Sequence, residues 1–184
     1  MVDTYTPVCE FGLKAGEFSL PGVDNRVWTL EDLQGERGIL LIFICNHCPF
    51  MKAVINKIVL TANTLSDYGI NTAAIMPNDV SKYSDDSFEN MISFAKEHNF
   101  TFPYLYDETQ EVAKRYNAVC TPDIFGFDKN LKLKYRGRLD SGTMNSKNEE
   151  KIDRDLYKAM IKIKNEGIGP KIQINSIGCS IKWK

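Results

Sequence analysis

The order of apolar and polar residues predicts alternating strands and helices. A continuous apolar run over 39–44 is typical of a strand that is buried on both faces. Over 49–67 the apolar residues recur every three or four positions, which predicts an amphipathic helix that Gly69 ends. A second apolar run, 70–76, predicts another core strand. A buried strand–helix–strand unit therefore forms the first half of the expected fold.

The segments on both sides of this unit carry their own turn and capping signals. Turn residues separate two β-prone pieces near the N-terminus, and this predicts a hairpin followed by a capped helical turn at 29–33. Beyond the second core strand we expect a helix over 86–98, a short strand over 102–106, a helix capped by Thr109, a hairpin of 123–127 with 131–135, and a last helix that a capping box at Ser146 and Glu149 opens and Gly167 ends. The tail, 168–184, has no clear period.

Strands that alternate with helices, followed by a hairpin and a helix, indicate an α/β fold. We expect a mixed central sheet flanked by helices, with an N-terminal β-hairpin as an extension. The length predicts a single domain over 1–184 in which 168–184 is a C-terminal tail.

The stretch between the first core strand and its helix carries the candidate chemistry. It reads Cys45-Asn46-His47-Cys48-Pro49. Pro49 suits the first position of a helix, since its missing N–H would have no partner there. Cys48 then lies at the helix entrance, where free amides and the positive end of the helix dipole favour the thiolate, the reactive form of the thiol.

Composition and charge narrow the function class. The net charge of −1 gives no electrostatic reason to expect nucleic acid or an anionic membrane as partner, and no apolar run approaches the length of a bilayer span. The start of the chain lacks the basic and apolar stretches of a secretory signal, so we expect a cytoplasmic protein. Five cysteines, an odd count, do not suit a secreted disulfide framework.

Several stretches carry a family resemblance. A strand, cysteines at a helix start and a later Thr121-Pro122 before a hairpin resemble the thioredoxin fold. The chain more closely resembles the peroxiredoxin-like subfamily of that superfamily, of the AhpC/TSA and TlpA-like type. The stretches that carry this resemblance are Phe18-Ser19-Leu20-Pro21-Gly22, Leu30-Glu31-Asp32-Leu33-Gln34-Gly35, Cys45-Asn46-His47-Cys48-Pro49-Phe50, Val119-Cys120-Thr121-Pro122-Asp123 and Gly178-Cys179-Ser180-Ile181-Lys182-Trp183.

The resemblance implies two alternative assignments of the attacking sulfur. In a thioredoxin-type site the first cysteine, Cys45, attacks and Cys48 resolves. The distance from the core strand and the Cys48-Pro49 pair of peroxiredoxins both favour Cys48 instead. Cys45 then stands where a peroxiredoxin has a threonine, and Asp123 follows Pro122 near the place of its arginine. The donors that would activate a peroxide are therefore absent from those positions, although Arg136 and Arg138 follow on the next strand.

The resemblance also implies roles for the neighbouring residues. Pro122 corresponds to the cis-proline of thioredoxins, and its loop, with Thr121, faces the active cysteine. Cys120 would then lie close to Cys48 and, like Cys45, is a candidate resolving thiol. His47 is a candidate for stabilising the thiolate. For Cys179, in the tail, we favour a structural role over a redox role.

We therefore expect a thiol–disulfide oxidoreductase with Cys48 as nucleophile. A peroxiredoxin-like thiol peroxidase is the alternative. In a third hypothesis a thiolate module binds zinc or copper(I) through Cys45, His47, Cys48 and Cys120. The expected partners are a protein or small-molecule disulfide, or a peroxide, together with a thiol electron donor. We expect no cofactor.

Overall fold

The computed structural model describes residues 3–142 and 152–184. Its strands are β1 (Asp3–Tyr5), β2 (Ser19–Pro21), β3 (Val27–Thr29), β4 (Gly38–Phe43), β5 (Ile70–Met76), β6 (Tyr104–Tyr106), β7 (Cys120–Thr121), β8 (Asp123–Asp128), β9 (Leu133–Arg136) and β10 (Ile177–Ser180). Its helices are α1 (Leu30–Leu33), α2 (Pro49–Ser66), α3 (Phe88–Glu97), α4 (Glu111–Arg115) and α5 (Asp155–Glu166), and a 3₁₀ turn spans Ser84–Asp86. Within these described ranges, no helix has both the length and the apolar character needed to cross a membrane.

The central sheet has five strands in the order β6-β5-β4-β8-β9. β4 pairs parallel with β5 and antiparallel with β8, so the sheet is mixed. Every residue of β4 is buried, as its unbroken apolar run predicts. β2 and β3 form the predicted N-terminal hairpin.

Helices cover both faces of this sheet. Leu40 and Ile42 of β4 share one buried cluster with apolar residues of α2, α3 and α5. Ile39, Leu41 and Phe43 belong to a second cluster, together with residues of α1 and α4. Successive strand residues point to opposite faces, and each face buries its own apolar layer. The predicted α/β fold class, a mixed sheet flanked by helices, is confirmed.

Two helix starts differ from the sequence prediction. We expected Thr109 to cap α4, and its hydroxyl does accept from the Glu111 amide at 3.4 Å, but Gln110 holds the N-cap position with a φ of 64°. The Asp107 carboxylate takes the capping role by accepting from the amides of Val112 and Ala113, at 3.4 and 2.7 Å. The last described helix begins at Asp155, and the predicted capping box of Ser146 and Glu149 lies outside the described residues.

The tail forms an element that the sequence pattern did not predict. β10 lies between β1 and β7 in a three-stranded antiparallel sheet. Ser176, just before β10, exchanges hydrogen bonds with Thr6, and Lys182, just after it, donates its amide to Asn78. Hydrogen bonds therefore hold the tail to the rest of the chain on both sides of Cys179.

Candidate functional site

The end of β4 and the start of α2 together position Cys48. It is the N-cap residue of α2, with Pro49 at the first helical position, and its carbonyl accepts from the Lys52 amide at 3.0 Å. The Cys48 side chain is fully buried. The helix start predicted from Pro49 is confirmed. Cys48 therefore lies next to the first amides of α2, which have no partner within the helix.

Cys48 is bonded to Cys179 of the tail. The two Cα atoms lie 6.6 Å apart, and the cysteines are separated by 131 residues in the sequence. The ladder between β10 and β7 sets this geometry because it places Cys179 directly opposite Thr121. The Cys48 sulfur lies 3.9 Å from the Thr121 carbonyl oxygen. The tail strand thus carries its sulfur directly to the entrance of α2.

This pairing differs from the expectation that Cys45 or Cys120 is the partner of Cys48 and that Cys179 is structural. Both candidate thiols have other neighbours. The Cys45 sulfur lies 3.0 Å from the Thr121 hydroxyl, and the Cys120 thiol donates to the Pro122 carbonyl at 3.4 Å. All three free cysteines of the described chain, Cys9 included, are separate from the disulfide.

Burial keeps both of these thiols protonated near neutral pH. It raises the pKa of Cys45 to about 12, with a further rise from the negative charge of Asp86 and a partial offset from the hydrogen bond with Thr121. Burial also raises the pKa of Cys120 far above its ordinary value, and the charge of Asp123 adds to the effect. Because the thiolate is the attacking species, these surroundings make both sulfurs poor nucleophiles.

Thr121 and Pro122 lie at the centre of the site. The peptide bond between them is cis. The Pro122 carbonyl accepts from the hydroxyl of Ser176 at 3.1 Å, so the tail contacts this loop through a side chain as well as through the β7 ladder. The predicted loop residues are therefore brought next to Cys48, and the tail covers them.

His47 has a carboxylate partner that the sequence did not indicate. Its Nδ1 lies 2.7 Å from Asp86 Oδ2, and its ring stacks on Tyr83 with 5.6 Å between centroids. We expected His47 to stabilise the Cys48 thiolate directly. The Asp86 charge beside the ring compensates any positive charge that the imidazole carries.

Asp86 is the acceptor that holds the Cys45–Cys48 loop in place. Its carboxylate accepts from the Asn46 amide and from the Asn78 side chain, both at 2.8 Å. Burial acts to raise the pKa of Asp86, but the hydrogen bonds from His47, Asn78 and Asn46 outweigh it and lower the pKa below its usual value. Asn78 also accepts from the Lys182 amide at 2.9 Å. One buried side chain thus connects the loop to the tail.

The two arginines that could replace a peroxiredoxin arginine are already paired. Arg136 is buried and donates to Asp123 at 2.8 and 3.2 Å. The Nε of Arg138 lies 2.5 Å from Oδ2 of Asp155. Arg138 also lines a cleft of about 480 Å³ beside Phe50, Pro122 and Ile177. Residues of α2 and residues of the tail both line this cleft.

Among the described residues, Cys45, His47 and Asp86 hold potential metal-ligand atoms within 4.8 Å of one another. Only Cys45 and His47 of this group belong to the four ligands predicted from the sequence. Cys48 is joined to Cys179, and Cys120 contacts Pro122 instead.

Comparison with known families identifies the chain at the family level. The model of the AhpC/TSA family matches residues 11–136. The chain belongs to the AhpC/TSA family. This assignment confirms the resemblance found in the sequence and points to the thiol oxidoreductase or peroxidase class. No curated protein gave a significant match.

Solved structures similar to this AhpC/TSA chain fall into two groups. An uncharacterized conserved protein from Geobacillus kaustophilus is 43% identical, with a TM-score of 0.92, and the match covers 100% of this chain and 97% of the other. A hypothetical protein from Sinorhizobium meliloti 1021 is 30% identical, with a TM-score of 0.91 and 98% of both chains covered. The thioredoxin domain of a thiol-disulfide oxidoreductase from Bacteroides vulgatus shares the fold, at 17% identity and a TM-score of 0.63 over 86% of this chain and 100% of the other.

Proposed function

We propose that this AhpC/TSA protein is a thiol–disulfide oxidoreductase in which Cys48 attacks the substrate and Cys179 resolves the mixed disulfide. The observation that carries the proposal is the bond between a helix-entrance cysteine and a sulfur that a paired strand delivers. Cys179 thereby takes the resolving role that the sequence suggested for Cys45 or Cys120.

The proposed cycle transfers two electrons to the substrate. The Cys48 thiolate attacks one sulfur of the substrate disulfide, a new S–S bond forms, and the other substrate sulfur leaves as a thiolate. The Cys179 thiolate then attacks the Cys48 sulfur, and the remaining substrate sulfur leaves. The substrate is now a dithiol, and the protein holds the Cys48–Cys179 disulfide. An external dithiol reduces this disulfide by the same exchange steps.

The surroundings of Cys48 supply what the first step requires. The free amides at the start of α2 stabilise a thiolate at the N-cap position. His47 contributes mainly by holding the Cys45–Cys48 loop in position, since its Nδ1 is hydrogen-bonded to Asp86. Cys45 and Cys120, with raised pKa values, do not compete as nucleophiles.

Peroxide reduction is the second candidate function, and the family match favours it. Efficient peroxide chemistry needs positioned donors for the oxygen that leaves. Arg136 and Arg138 are engaged by Asp123 and Asp155, and the Thr121 hydroxyl contacts the Cys45 sulfur. We therefore rank disulfide exchange above peroxide reduction.

One experiment tests the resolving role. Full-length Cys179→Ser is reduced and mixed with a model protein disulfide, and the products are separated without reductant. We expect a stable mixed disulfide on Cys48, because the resolving sulfur is missing. Cys45→Ser and Cys120→Ser, as matched controls, should turn over without accumulating it. Accumulation in Cys45→Ser, and not in Cys179→Ser, would contradict the proposal.

A second measurement separates the two candidate functions. The reduced native chain is offered hydrogen peroxide and, separately, the same protein disulfide, and loss of thiols is followed over time. We expect faster loss with the disulfide. A far higher rate constant for peroxide, abolished in Arg138→Lys, would instead make the protein a peroxidase.

A further inference from the structure

We propose that the edge of β7 beside Pro122 binds extended segments in which glycine immediately precedes the cysteine of a disulfide. The tail segment 176–182 occupies this edge and has the required order, Gly178-Cys179. This inference rests on the proposed function and adds a substrate class to it.

The ladder between β10 and β7 defines how a bound segment is placed. The pairing is antiparallel, with Cys179 opposite Thr121 and Ser180 opposite Cys120. A segment in this register brings its cysteine sulfur onto Cys48, as the tail does. Adding a strand to a sheet edge is a general mode of peptide binding, in which main-chain hydrogen bonds supply affinity and side-chain pockets supply specificity.

The lack of space for a side chain at Gly178 is the basis of the proposed selection for glycine. A Cβ atom there would overlap the carbonyl oxygen of Thr121, and it would lie 2.7 Å from the carbonyl carbon of Thr121 and 3.0 Å from the nitrogen of Pro122. All three are backbone atoms at the centre of the site, so none moves aside as the end of a flexible side chain would. The φ of Gly178 is not positive, so lack of space and not backbone conformation excludes a side chain. Only glycine fits this position in this register.

A second feature of the tail extends the motif. Ile181 follows the cysteine by two positions, and its side chain is buried in the cluster that lies between the sheet and α4. Its amide donates to the Val119 carbonyl at 3.1 Å. A segment that replaces the tail thus gains affinity from an apolar residue at this place.

An external segment must displace the tail, because Cys48 and Cys179 are both buried. Reduction of their disulfide removes the covalent link. The Ser176 contact to Pro122 and the Lys182 contacts to Asn78 and Asp79 then hold the tail non-covalently. An external segment and the tail therefore compete for one edge, and the return of the tail brings Cys179 back to resolve the mixed disulfide.

The test uses reduced full-length Cys179→Ser, which keeps Cys48 and cannot re-form the internal disulfide. The probe is a synthetic peptide that copies residues 175–182 and carries its cysteine as a mixed disulfide with thionitrobenzoate. The matched peptide has alanine in place of glycine before the cysteine. Release of thionitrobenzoate gives the rate, and peptide mass locates the adduct on Cys48. We expect the glycine peptide to react roughly tenfold faster or more.

The outcomes separate this inference from the proposed function. Equal rates for the two peptides would overturn the glycine selection while the exchange activity stands. Reaction with dithiobis(nitrobenzoate) but with neither peptide would overturn binding at the β7 edge. If Cys48 reacts with none of these disulfides, the proposed function itself fails.

A second variant tests the same contact inside the native chain. Gly178→Ala should lower the equilibrium constant for forming the Cys48–Cys179 disulfide in a glutathione buffer by roughly tenfold. Ile172→Ala, at an exposed tail position outside the ladder, is the control and should change it little. An unchanged constant in Gly178→Ala would overturn the proposed restriction.

Discussion

Cys45 and Cys48 are separated by only two residues, yet their surroundings are opposite. Cys45 lies at the end of a buried strand, where the Thr121 hydroxyl contacts its sulfur and burial raises its pKa to about 12. Cys48 lies at a helix entrance and is bonded to Cys179, which is 131 residues away in the sequence. The comparison shows that a C-x-x-C spacing does not by itself define a disulfide pair. The partner of Cys48 is set by strand β10, which pairs with β7 and places Cys179 beside Cys48.

The largest expected effect separates the two cysteines by activity. Cys48→Ser should lower the rate constant for disulfide exchange by roughly a thousandfold or more, because it removes the attacking sulfur. Cys45→Ser should stay within about threefold of the native chain, since this sulfur is buried in the core and contacts the Thr121 hydroxyl instead of Cys48. The rates are measured with a model protein disulfide under identical reducing conditions. The opposite ranking of the two variants would reverse the assignment of roles.

The second prediction concerns the pH at which each thiol reacts. With a pKa of about 12, only about one Cys45 in ten thousand is a thiolate at pH 8, whereas the entrance of α2 favours the Cys48 thiolate. Cys48 should therefore be alkylated first in the reduced chain, and the reactivity of Cys45 should keep rising up to about pH 12. Alkylation against pH, read by peptide mass, measures both. If Cys45 titrates first, the thioredoxin-type assignment applies.

The third prediction tests the scaffold that holds the loop between the two cysteines. Asp86→Asn should lower the free energy of unfolding by about 2–4 kcal/mol at pH 7, because a buried carboxylate that accepts three hydrogen bonds is replaced. The pKa of Asp86 is lowered by folding, so its stabilisation is present above about pH 4 and is lost as the pH falls through the folded value.

The Asp86→Asn chain should consequently lose less stability on acidification than the native chain. Denaturant unfolding at several pH values measures this difference. Asp85→Asn is the matched control, because the neighbouring Asp85 is exposed. Equal acid dependence in Asp86→Asn and the native chain would contradict the role of Asp86.

The smallest expected effect concerns the contact that distinguishes Cys45. Thr121→Val removes the hydroxyl beside the Cys45 sulfur, and this should lower the free energy of unfolding by about 1 kcal/mol. It should also raise the pKa of Cys45 further, since that hydrogen bond opposes the effect of burial. Urea unfolding and thiol titration of the same variant measure the two changes. A lower pKa of Cys45 in this variant would contradict the assignment.

The central sheet and α2 were predictable because local signals specify them. The apolar run of β4, the period of α2 and the Pro49 helix start each depend on neighbouring residues alone. The same local pattern correctly placed Cys48 at a helix entrance. The position of the Pro122 loop next to Cys48 was expected from the family resemblance and not from the local pattern.

The three-stranded sheet of β1, β10 and β7 and the hydrogen bonds to Asp86 were not predictable in this way. β7 has two residues and β1 has three, which is too short to show a period, and β10 meets them from the far end of the chain. His47 and Asp86 are 39 residues apart, and no local pattern links them. Proximity along the chain therefore favoured Cys45 as the partner of Cys48, whereas long-range strand pairing brings Cys179 to that place.

The Cys48–Cys179 bond also couples the redox state of the protein to its thermal stability. It spans 131 residues, so in the unfolded protein it closes a loop that contains most of the chain. In a chain-entropy model, closing a loop of this size lowers the entropy of the unfolded chain and raises the free energy of unfolding by about 4–5 kcal/mol. The oxidised chain should therefore melt at a higher temperature than the reduced chain. Folding and reduction form a thermodynamic cycle, so reducing this bond costs more free energy in the folded chain than in the unfolded chain. The difference equals the increase in the free energy of unfolding that the bond provides. A melting curve then reports the fraction of molecules that hold the Cys48–Cys179 disulfide.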